Sequence, residues 1–424
     1  MFYIADLHTH SHYAGATSKS LNLETLYQWA LIKGIDVVST GDFTHPAWLK
    51  ELQEKLQPAG NGFYTLKRLP PLNVLPGIKA SERTIYFCLS VEVSCEYMIN
   101  NRKYRTHQLI YAKDFEAVHY INTALSKYGN LTLDGRPSLQ LQSHELFKIV
   151  LDIPRAYFVP AHVWTPWCSS IGAMEGHDSL SDCFKDVATE LFAIETSLSA
   201  DPLMCRQYDE LDGLTLLSNS DAHSPRNLGR EVNLLKTELG YDAMFNAFKT
   251  KQGFAGTYEL FPQKGKCYNT GHRDCGVSID ADKITGNICA VCGKPLTIGV
   301  SHRVQQLANC KAVKENIQPF KYVLPLPEIF AELLNIKSDT PLHTVSVAKA
   351  YTKAIAYFGN EFDILHKVAL EDIQRYYPKL ATAINRLRNN EKQAVAGYDG
   401  IYGRINFFNE YELNEKQKQL ALFG

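Results

Sequence analysis

Short apolar runs, each ending at a histidine or a carboxylate, recur through the first three-fifths of the chain. The run "IDVVS" leads into "TGDFTHP", "YFVPA" leads to His162, and "LTLLS" leads into "SNSDAHSP". Segments of helix length separate the runs, such as Leu23 to Lys33, which Asn22 can cap and Gly34 can end. Strands that alternate with helices predict an α/β fold, most simply a barrel. In a (β/α) barrel the carboxyl ends of the strands meet at one mouth, so the polar strand ends should form one site.

Length and composition restrict the class of protein. A chain of 424 residues, 45% hydrophobic and 21% charged, is long enough for two or three globular domains. It has no uncharged apolar run of about 18 residues, which a membrane span requires. Asp6 and His8 interrupt the N-terminal apolar run before it could act as a secretory signal. Ten cysteines without such a signal predict reduced thiols and metal ligands rather than disulfides. We expect a cytoplasmic, nucleoid-associated protein.

The chain divides into four predicted parts, and its charge is distributed unevenly between the first part and the rest. Residues 1–262 hold 23 Lys and Arg against 29 Asp and Glu, whereas residues 263–424 hold 21 against 16. An acidic part with metal ligands joined to a basic part suits an enzyme that acts on a polyanion, although a solvated surface would look similar. The predicted parts are a barrel (1–262), a Cys- and Gly-rich module (263–310), a helical C-terminal domain (311–408) and a polar tail (409–424).

Potential metal ligands stand at the predicted strand ends. His8 and His10 would share one face if the first strand continues through them, because side chains alternate along a strand. His107 is the exception, since it begins its run "THQLIYA" and fits only a reversed strand or a bulge. Histidines combined with carboxylates hold two or three zinc- or manganese-type ions, and clustered ions suit phosphoryl chemistry. The candidates are His8, His10, Asp42, His45, Glu92, His107, His162, Asp221 and His223.

Other polar residues have weaker settings. For Glu195, in "AIETS", support of a ligand and a plain ion pair stay equally open. The remaining histidines considered, read as ordinary polar residues, are His12, His119, His144 and His177.

The ordered motifs "DLHTH", "TGDFTHP", "SVEVS", "THQLIY", "PAHVW" and "SNSDAH" resemble those of the PHP (polymerase and histidinol phosphatase) superfamily. The resemblance implies a distorted (β/α)7 barrel with a trinuclear metal centre that hydrolyses phosphoesters. It assigns one metal to His8, His10, Glu92 and Asp221, and a second to Glu92, His107 and His162. His223 would hold the third with the "GDFTH" loop, and Glu92, Asp221 and His223 would be the catalytic set. Many members read TDH where this chain reads GDFTH, so the choice between Asp42 and His45 stays open, with Asp42 preferred.

A second metal site is predicted in the Cys- and Gly-rich module. His272-x2-Cys275 and Cys289-x2-Cys292 are two ligand pairs on Gly-bearing turns, a spacing typical of a tetrahedral structural zinc. Cys267 could replace His272, but the matched spacing favours His272. A small core of reduced cysteines is disfavoured, because so short a segment has few apolar residues to fold around.

Two segments carry arginine and tyrosine on flexible backbone and are candidates for DNA contact. "HRV" contains Arg303, and "AGYDGIYGRI" contains Tyr398, Tyr402 and Arg404. Such side chains suit phosphate contacts and stacking on an unpaired base, although a Gly/Tyr loop alone is more often a turn.

The combination of a PHP-like barrel, "GHRDCG", "GVSHRV", "LPLPEI", "FGNEFDIL" and "GYDGIYGRI" is similar to the endonuclease Q family over essentially the whole chain. The resemblance implies nicking of DNA on the 5′ side of deaminated bases (uracil, hypoxanthine, xanthine) and abasic sites. The implied route extrudes the lesion into a protein pocket, since damaged pairs flip at lower cost. Two alternatives stay open: a small-molecule phosphatase of the histidinol-phosphate type, and a non-catalytic, clamp-tethered DNA-binding protein.

The C-terminal "QLALF" is an apolar tip on a polar tail. The spacing of Gln419, Leu420, Leu422 and Phe423 resembles the pentapeptide by which bacterial repair proteins bind the DNA sliding clamp. The sequence therefore suggests the sliding clamp as a partner and a bacterial form of the enzyme.

Overall fold

The computed structural model describes residues 1–75, 77–78, 83–196, 198–310 and 317–414. The strands are β1 (Phe2–Asp6), β2 (Val37–Ser39), β3 (Leu56–Pro58), β4 (Tyr64–Leu66), β5 (Tyr86–Ile99), β6 (Arg102–Ala112), β7 (Ser138–Leu139), β8 (Ala156–Pro160), β9 (Ala193–Glu195), β10 (Thr215–Leu217), β11 (Val232–Lys236), β12 (Phe254–Leu260), β13 (Thr270–His272), β14 (Val277–Ile279), β15 (Phe320–Val323), β16 (Gln393–Val395) and β17 (Arg404–Asn406). The helices are α1 (Leu23–Lys33), α2 (Pro46–Lys55), α3 (Phe115–Leu125), α4 (Ser143–Leu151), α5 (Leu180–Phe184), α6 (Pro202–Cys205), α7 (Tyr241–Thr250), α8 (Val300–Leu307), α9 (Leu326–Leu333), α10 (Val345–Phe358), α11 (Glu361–His366), α12 (Leu370–Tyr376), α13 (Pro378–Arg388) and α14 (Glu410–Asn414). None of the helices in these ranges is long and apolar enough to cross a membrane.

A large mixed sheet organises the first part of the chain, and the predicted α/β class is confirmed. β1 pairs parallel with β2 and antiparallel with β11, and β2 pairs parallel with β5. The sheet is not all-parallel, because β5, β6 and β8 are successively antiparallel. Asn100 and Asn101, with φ of 49° and 62°, form the two-residue turn that reverses the chain into β6. His107 therefore lies within a reversed strand.

The two-stranded sheet of β9 and β10 lies between β8 and β1. Val163 donates its N–H to the carbonyl of Glu195 at 3.0 Å, and Thr9 forms an isolated bridge with Ala222. β1 itself ends at Asp6, so a continuous first strand through His8 and His10 is wrong. At this end of the strand, the carboxylate of Asp6 accepts hydrogen bonds from the N–H groups of Ser220 and Gly229. The chain still pairs with Ala222 after β1, so His8 and His10 lie just beyond the carboxyl end of this strand.

Alternating side chains place the core on both faces of the sheet. Tyr3 and Ala5 of β1 pack with Tyr111 of β6 and with Tyr241 and Phe245 of α7. Intervening residues of the same strands face the opposite layer of helices. This period of two is the strand geometry that the apolar runs predict.

α1 begins and ends where the sequence predicts. The Asn22 side chain accepts the N–H of Thr25, and Gly34 takes a left-handed conformation with φ of 89°. These two local signals are sufficient because both the cap and the turn lie within a few residues of the helix.

The C-terminal part is mainly helical, as predicted, and is connected to the sheet. β15 pairs parallel with β12 and forms one edge of the large sheet. The run "DIQRYYPKLATAINRLR" forms two helices, because Pro378 starts α13 and cannot continue α12. The Gly/Tyr loop joins the short strands β16 and β17.

Candidate metal centre

Four side chains from distant parts of the chain meet at one edge of the sheet. Ligand atoms of His8, His10, Glu92 and Asp221 all lie within 4.8 Å of one another. Nε2 of His10 is 3.2 Å from Asp221 Oδ1 and 3.3 Å from Glu92 Oε2. The histidines and Glu92 are fully buried, and the Asp221 side chain is partly open to solvent.

A second group shares Glu92 with the first. Oε1 of Glu92 is 2.6 Å from Nδ1 of His107 and 2.8 Å from Nε2 of His162, whereas Oε2 faces His10. One carboxylate therefore directs an oxygen to each group, which is the arrangement of a bridging ligand. Both groups match the sets that the PHP resemblance implies, and the reversed β6 is what brings His107 to Glu92.

The two groups have the features of cation sites. Nε2 of His8 is buried and has no hydrogen-bond partner, although carboxylate oxygens of Asp221 and Glu92 lie 3.5 and 3.6 Å away. These separations are too long for hydrogen bonds, and a buried nitrogen without a partner is costly. A divalent cation between the nitrogen and the oxygens would satisfy all of them, and the mixture of imidazoles and carboxylates suits zinc or manganese.

Outer contacts hold the ligand rings in place. Glu195 lies 3.0 Å from Nδ1 of His8, and Asp42 lies 3.1 Å from Nδ1 of His10. The hydroxyl of Thr165 lies 3.0 Å from Nδ1 of His162. Glu195 thus contacts His8, a candidate ligand. Of the two interpretations left open for Glu195, support of a ligand agrees with this contact better than a plain ion pair does. Such contacts fix the ring orientation and raise the basicity of the ligands.

The "GDFTH" loop and His223 lie near the two groups but outside them. Asp42 is buried and also accepts the N–H and hydroxyl of Ser11. His45 instead stacks on Tyr13, with ring centroids 4.4 Å apart. His223 packs edge-on against His10 at 4.6 Å and its side chain is about a third exposed. His223 therefore faces the open side of the centre, and Asp42 stands behind His10.

The charges at the centre are strongly coupled. Burial lowers the pKa of His8, but the facing carboxylates of Glu195, Asp221 and Glu92 together raise it well above 6.5. Burial raises the pKa of Glu92, but His107 and Arg136 hold it well below 4.5. Because a metal binds only the unprotonated imidazole, a cation at this centre would compete with protons.

Three residues at the centre also have an unusual backbone conformation. Asp42, His162 and Asp221 adopt positive φ of 53°, 29° and 45°. Non-glycine residues rarely adopt these values, which are found mostly where the surrounding structure enforces them at functional sites.

A cleft of about 520 Å³ opens above the two groups. Its walls include four residues that sequence reasoning missed: Arg136, Trp167, Arg230 and Lys266. Nη1 of Arg136 is 3.2 Å from Glu92 Oε2, and Arg230 donates to the carbonyls of residues 220 and 221. Trp167 lies three residues after the motif "PAHVW", whereas the arginines had no signal beyond their charge.

The predicted zinc ligands also meet. Ligand atoms of His272, Cys275, Cys289 and Cys292 lie within 4.8 Å of one another, and His272 Nδ1 is 3.5 Å from Cys292 Sγ. Cys267 is buried in the wall of the cleft and is not in this group. The β13–β14 hairpin and the turn at Gly293 present the two pairs.

The predicted DNA contacts occupy different surroundings. Tyr402 lines the cleft and is 42% exposed. Arg404 lies on β17 beside a separate surface depression, and Tyr398 packs over Gly271. Arg303 is buried and donates to the carbonyls of residues 171 and 177 and to Asp178. This engagement within the protein argues against Arg303 as a phosphate contact.

The remaining histidines lie outside both ligand groups. His12 bonds to the carbonyl of Leu21, and His177 to the hydroxyl of Tyr97. His119 and His144 lie on α3 and α4. The clamp-motif residues Gln419, Leu420, Leu422 and Phe423 lie outside the described residues.

Known proteins resemble the chain in sequence. Residues 325–391 match the family model described as the MJ0043 C-terminal domain. The chain is 30% identical over 256 residues to the uncharacterized protein MJ0043 of Methanocaldococcus jannaschii, an alignment over 58% of this chain and 31% of that protein. It is 29% identical over 295 residues to the uncharacterized protein YqxK of Bacillus subtilis, over 66% of this chain and 70% of that protein. The chain thus spans about a third of the length of the archaeal relative.

Two solved structures are similar over nearly the whole chain. One is the lesion-specific endonuclease PfuEndoQ from Pyrococcus furiosus, with a TM-score of 0.83 and 28% identity over 99% of both chains. The other is an endonuclease Q complex with a 27-mer duplex that carries an abasic lesion at the active site, with the same TM-score and identity over 98% of both chains.

Proposed function

We propose that this chain, which belongs to the endonuclease Q family, is a metal-dependent DNA repair endonuclease that hydrolyses the phosphodiester 5′ to deaminated bases and abasic sites. The deaminated bases are uracil, hypoxanthine and xanthine. The observation that carries the proposal is the pair of ligand groups sharing Glu92 on the floor of a cleft. Similarity to a complex with abasic-site DNA supports damaged DNA as the substrate.

The residues of the centre would have two roles. His8, His10, Glu92, Asp221, His107 and His162 would hold two divalent ions, and His223 could bind a third from the open side. When bound, such ions activate water and neutralise charge on a phosphoryl group. Asp42 and Glu195 would orient the histidine rings.

Cationic side chains at the cleft wall suit a phosphodiester. Arg136 and Lys266 line the cleft, and Arg136 already faces Glu92. Two aromatic side chains, Trp167 and Tyr402, are part of the same lining and are 38% and 42% exposed. Basic groups beside exposed aromatic rings suit a nucleic acid with an unstacked base, because the rings offer surfaces on which a base can stack.

We further propose the domain assignment that the sequence suggests. It consists of a PHP-type barrel over 1–262, a zinc module over 263–310 and a helical DNA-binding domain over 311–408. His272, Cys275, Cys289 and Cys292 would hold one structural zinc. The tail 409–424 would bind the sliding clamp through its last residues.

The two alternatives lack support from the site. A small-molecule phosphatase does not require a cleft whose wall extends to Lys266 and Tyr402 of the later segments. A non-catalytic DNA-binding protein does not require buried ligand groups with strained backbone.

One nicking experiment separates these functions. The parent protein is given duplexes with uracil, hypoxanthine, xanthine, an abasic site or no lesion, with and without chelator, and phosphate release from monoesters is measured in parallel. We expect lesion-dependent nicking that the chelator abolishes, without phosphate release. Asp221→Asn should bind the abasic duplex but cut it at least about a hundredfold more slowly, whereas the exposed control Asp282→Asn should cut normally. Monoester hydrolysis without nicking would establish the phosphatase, and parent-like cutting by Asp221→Asn would overturn the metal assignment.

A further inference from the structure

The Tyr402 loop, residues 397–403, reaches the cleft from a part of the chain far from the metal ligands. Four main-chain hydrogen bonds attach it to the segment 263–269. Gly397 and Gly403 donate to the carbonyls of residues 263 and 264 at 2.9 and 3.0 Å, and Gly400 donates to that of Lys266 at 2.9 Å. The carbonyl of Gly397 accepts the N–H of Asn269 at 2.8 Å. Lys266 and Tyr402, which both line the cleft, are therefore held as one unit.

This attachment requires very close approach of two backbones. A Cβ atom at position 403 would lie 2.0 Å from the carbonyl oxygen of Gln263, and one at 397 would lie 2.4 Å from that of Gly265. Only glycine fits such contacts, so the loop is packed directly against the segment that begins the zinc module.

A single carboxylate connects the same loop to the metal-binding end of that module. Oδ2 of Asp399 accepts the N–H of Arg273 at 2.7 Å, and Oδ1 accepts the hydroxyl of Thr297 at 2.7 Å. Arg273 directly follows His272, and Thr297 lies shortly after Cys292. Asp399 therefore spans the two sides of the module that carry the two ligand pairs.

The position of Asp399 in the turn explains why its carboxylate can make both contacts. Asp399 has φ of 43° and Gly400 has φ of 91°, so both lie in the left-handed region. Aspartate and asparagine tolerate this region better than most side chains do. The turn reverses the chain between Tyr398 and Ile401, whose main chains pair across it, and directs the next residue, Tyr402, to the cleft.

We propose that Asp399 is a positioning residue, which holds Tyr402 at the rim of the cleft by joining its loop to the zinc module. Tyr402 would then meet the DNA near the lesion, and Asp399 would act on substrate only through Tyr402. The proposal rests on the proposed function for its substrate. Its structural part, the ordering of residues 397–403, can be measured without any activity.

The test compares Asp399→Ala, Asp399→Asn and Tyr402→Ala with the parent. Asp399→Ala should raise KM for an abasic duplex about tenfold while kcat changes less than about twofold, because binding contacts and not the metal centre are lost. Asp399→Asn should have a smaller effect, since its amide oxygen can still accept one of the two hydrogen bonds.

The matched control is Asp274→Asn, a neighbouring exposed carboxylate whose only described ion pair is a 3.8 Å contact with Arg273. It should behave as the parent, because exposed pairs contribute little.

Two further measurements keep the outcome decisive. Amide hydrogen exchange at Gly400 and Gly403 should accelerate in Asp399→Ala without DNA present. The double variant with Tyr402→Ala should show no larger KM than Tyr402→Ala alone, because residues that act through one another are not additive. Unchanged exchange, an additive double variant, or a fall in kcat at constant KM would each overturn the role of Asp399. If the parent does not nick lesion duplexes while exchange responds as expected, the proposed function fails and the loop contact stands.

Discussion

Replacement of Glu195 by glutamine should weaken metal binding at the histidine–carboxylate centre by about 10- to 100-fold. Glu195 is 1% exposed, and its carboxylate acts as the acceptor in each of its hydrogen bonds. Nδ1 of His8 lies 3.0 and 3.1 Å from its two oxygens, the N–H of His162 lies 2.8 Å from Oε2, and Nδ2 of Asn219 lies 2.9 Å from Oε1. Glutamine preserves the shape but replaces one acceptor by an NH2 group.

The magnitude follows from these contacts. In either orientation the new NH2 group would face a donor, the main-chain N–H of His162 or the amide of Asn219. Asn219 cannot turn over freely, because its oxygen already accepts the N–H of Leu7 at 2.8 Å. Loss of a charge-assisted hydrogen bond together with an unsatisfied buried donor costs about 1–3 kcal/mol, which corresponds to a factor of about 5 to 150 in an equilibrium constant.

The assay titrates zinc and manganese into metal-free parent, Glu195→Gln and a control, Glu190→Gln. Glu190 is an exposed glutamate five residues earlier in the chain, so the control makes the same chemical change at the surface. Nicking of an abasic duplex is then followed against metal concentration. We expect Glu195→Gln to need about 10- to 100-fold more metal for half-maximal nicking and to recover most of its rate at saturation.

A thermal melt of each metal-free protein shows whether the glutamine variant is folded. If Glu195→Gln binds both metals with parent affinity, Glu195 does not orient His8 and the assignment of ligand support is refuted. A rate that stays low at saturating metal would also refute it, because it would place Glu195 in the chemical step.

Three other outcomes follow from the structure. Burial raises the pKa of Glu259 to about 8 and, with the Glu259 charge, raises that of Glu231 well above 4.5. The folded state thus retains a proton that the unfolded state releases, so the free energy of unfolding should fall as pH rises from about 4.5 to 8. Glu259→Gln should reduce that fall in urea melts at pH 5 and pH 8; an unchanged slope would contradict the pair. Cys289→Ser should lower the zinc content by one ion per chain and lower Tm by several degrees, and parent-like zinc content would exclude the tetrahedral site. Deletion of residues 419–423 should abolish clamp pull-down and leave nicking of a short duplex intact, and retained clamp binding would exclude the motif.

The local elements of the fold could be predicted from sequence. The bounds of α1 follow from Asn22 and Gly34, and Pro378 accounts for the division of the last long helical run. Such signals act within a few residues, so no tertiary information is needed to interpret them. The sequence left two options for His107, a reversed strand or a bulge. It could not choose between them, because the pattern of apolar residues does not show in which direction a strand runs.

The candidate ligands could also be proposed from sequence, since each is a metal-ligating residue type beside an apolar run. Their division into two groups was implied only by the resemblance to the PHP superfamily. The residues of the cleft wall could not. Arg136 and Arg230 lie in loops with no repeating pattern, and nothing in their neighbourhood indicates that they face Glu92 or the carbonyl of Asp221. Arg303 shows the opposite case: its sequence setting suggested a phosphate contact, and tertiary packing buries it against residues 171–178.

By itself, the sequence determined which chemical groups were present and on which kind of local element each would lie. Residue type, capping and alternation are properties of short segments, and they are sufficient to identify imidazoles, carboxylates and thiolates as potential ligands. Only the tertiary structure showed how those groups meet, with one oxygen of Glu92 directed to each ligand group, and that Asp399 joins the Tyr402 loop to the zinc module. These contacts join residues far apart along the chain, and their geometry depends on how the strands pair and how the backbones approach.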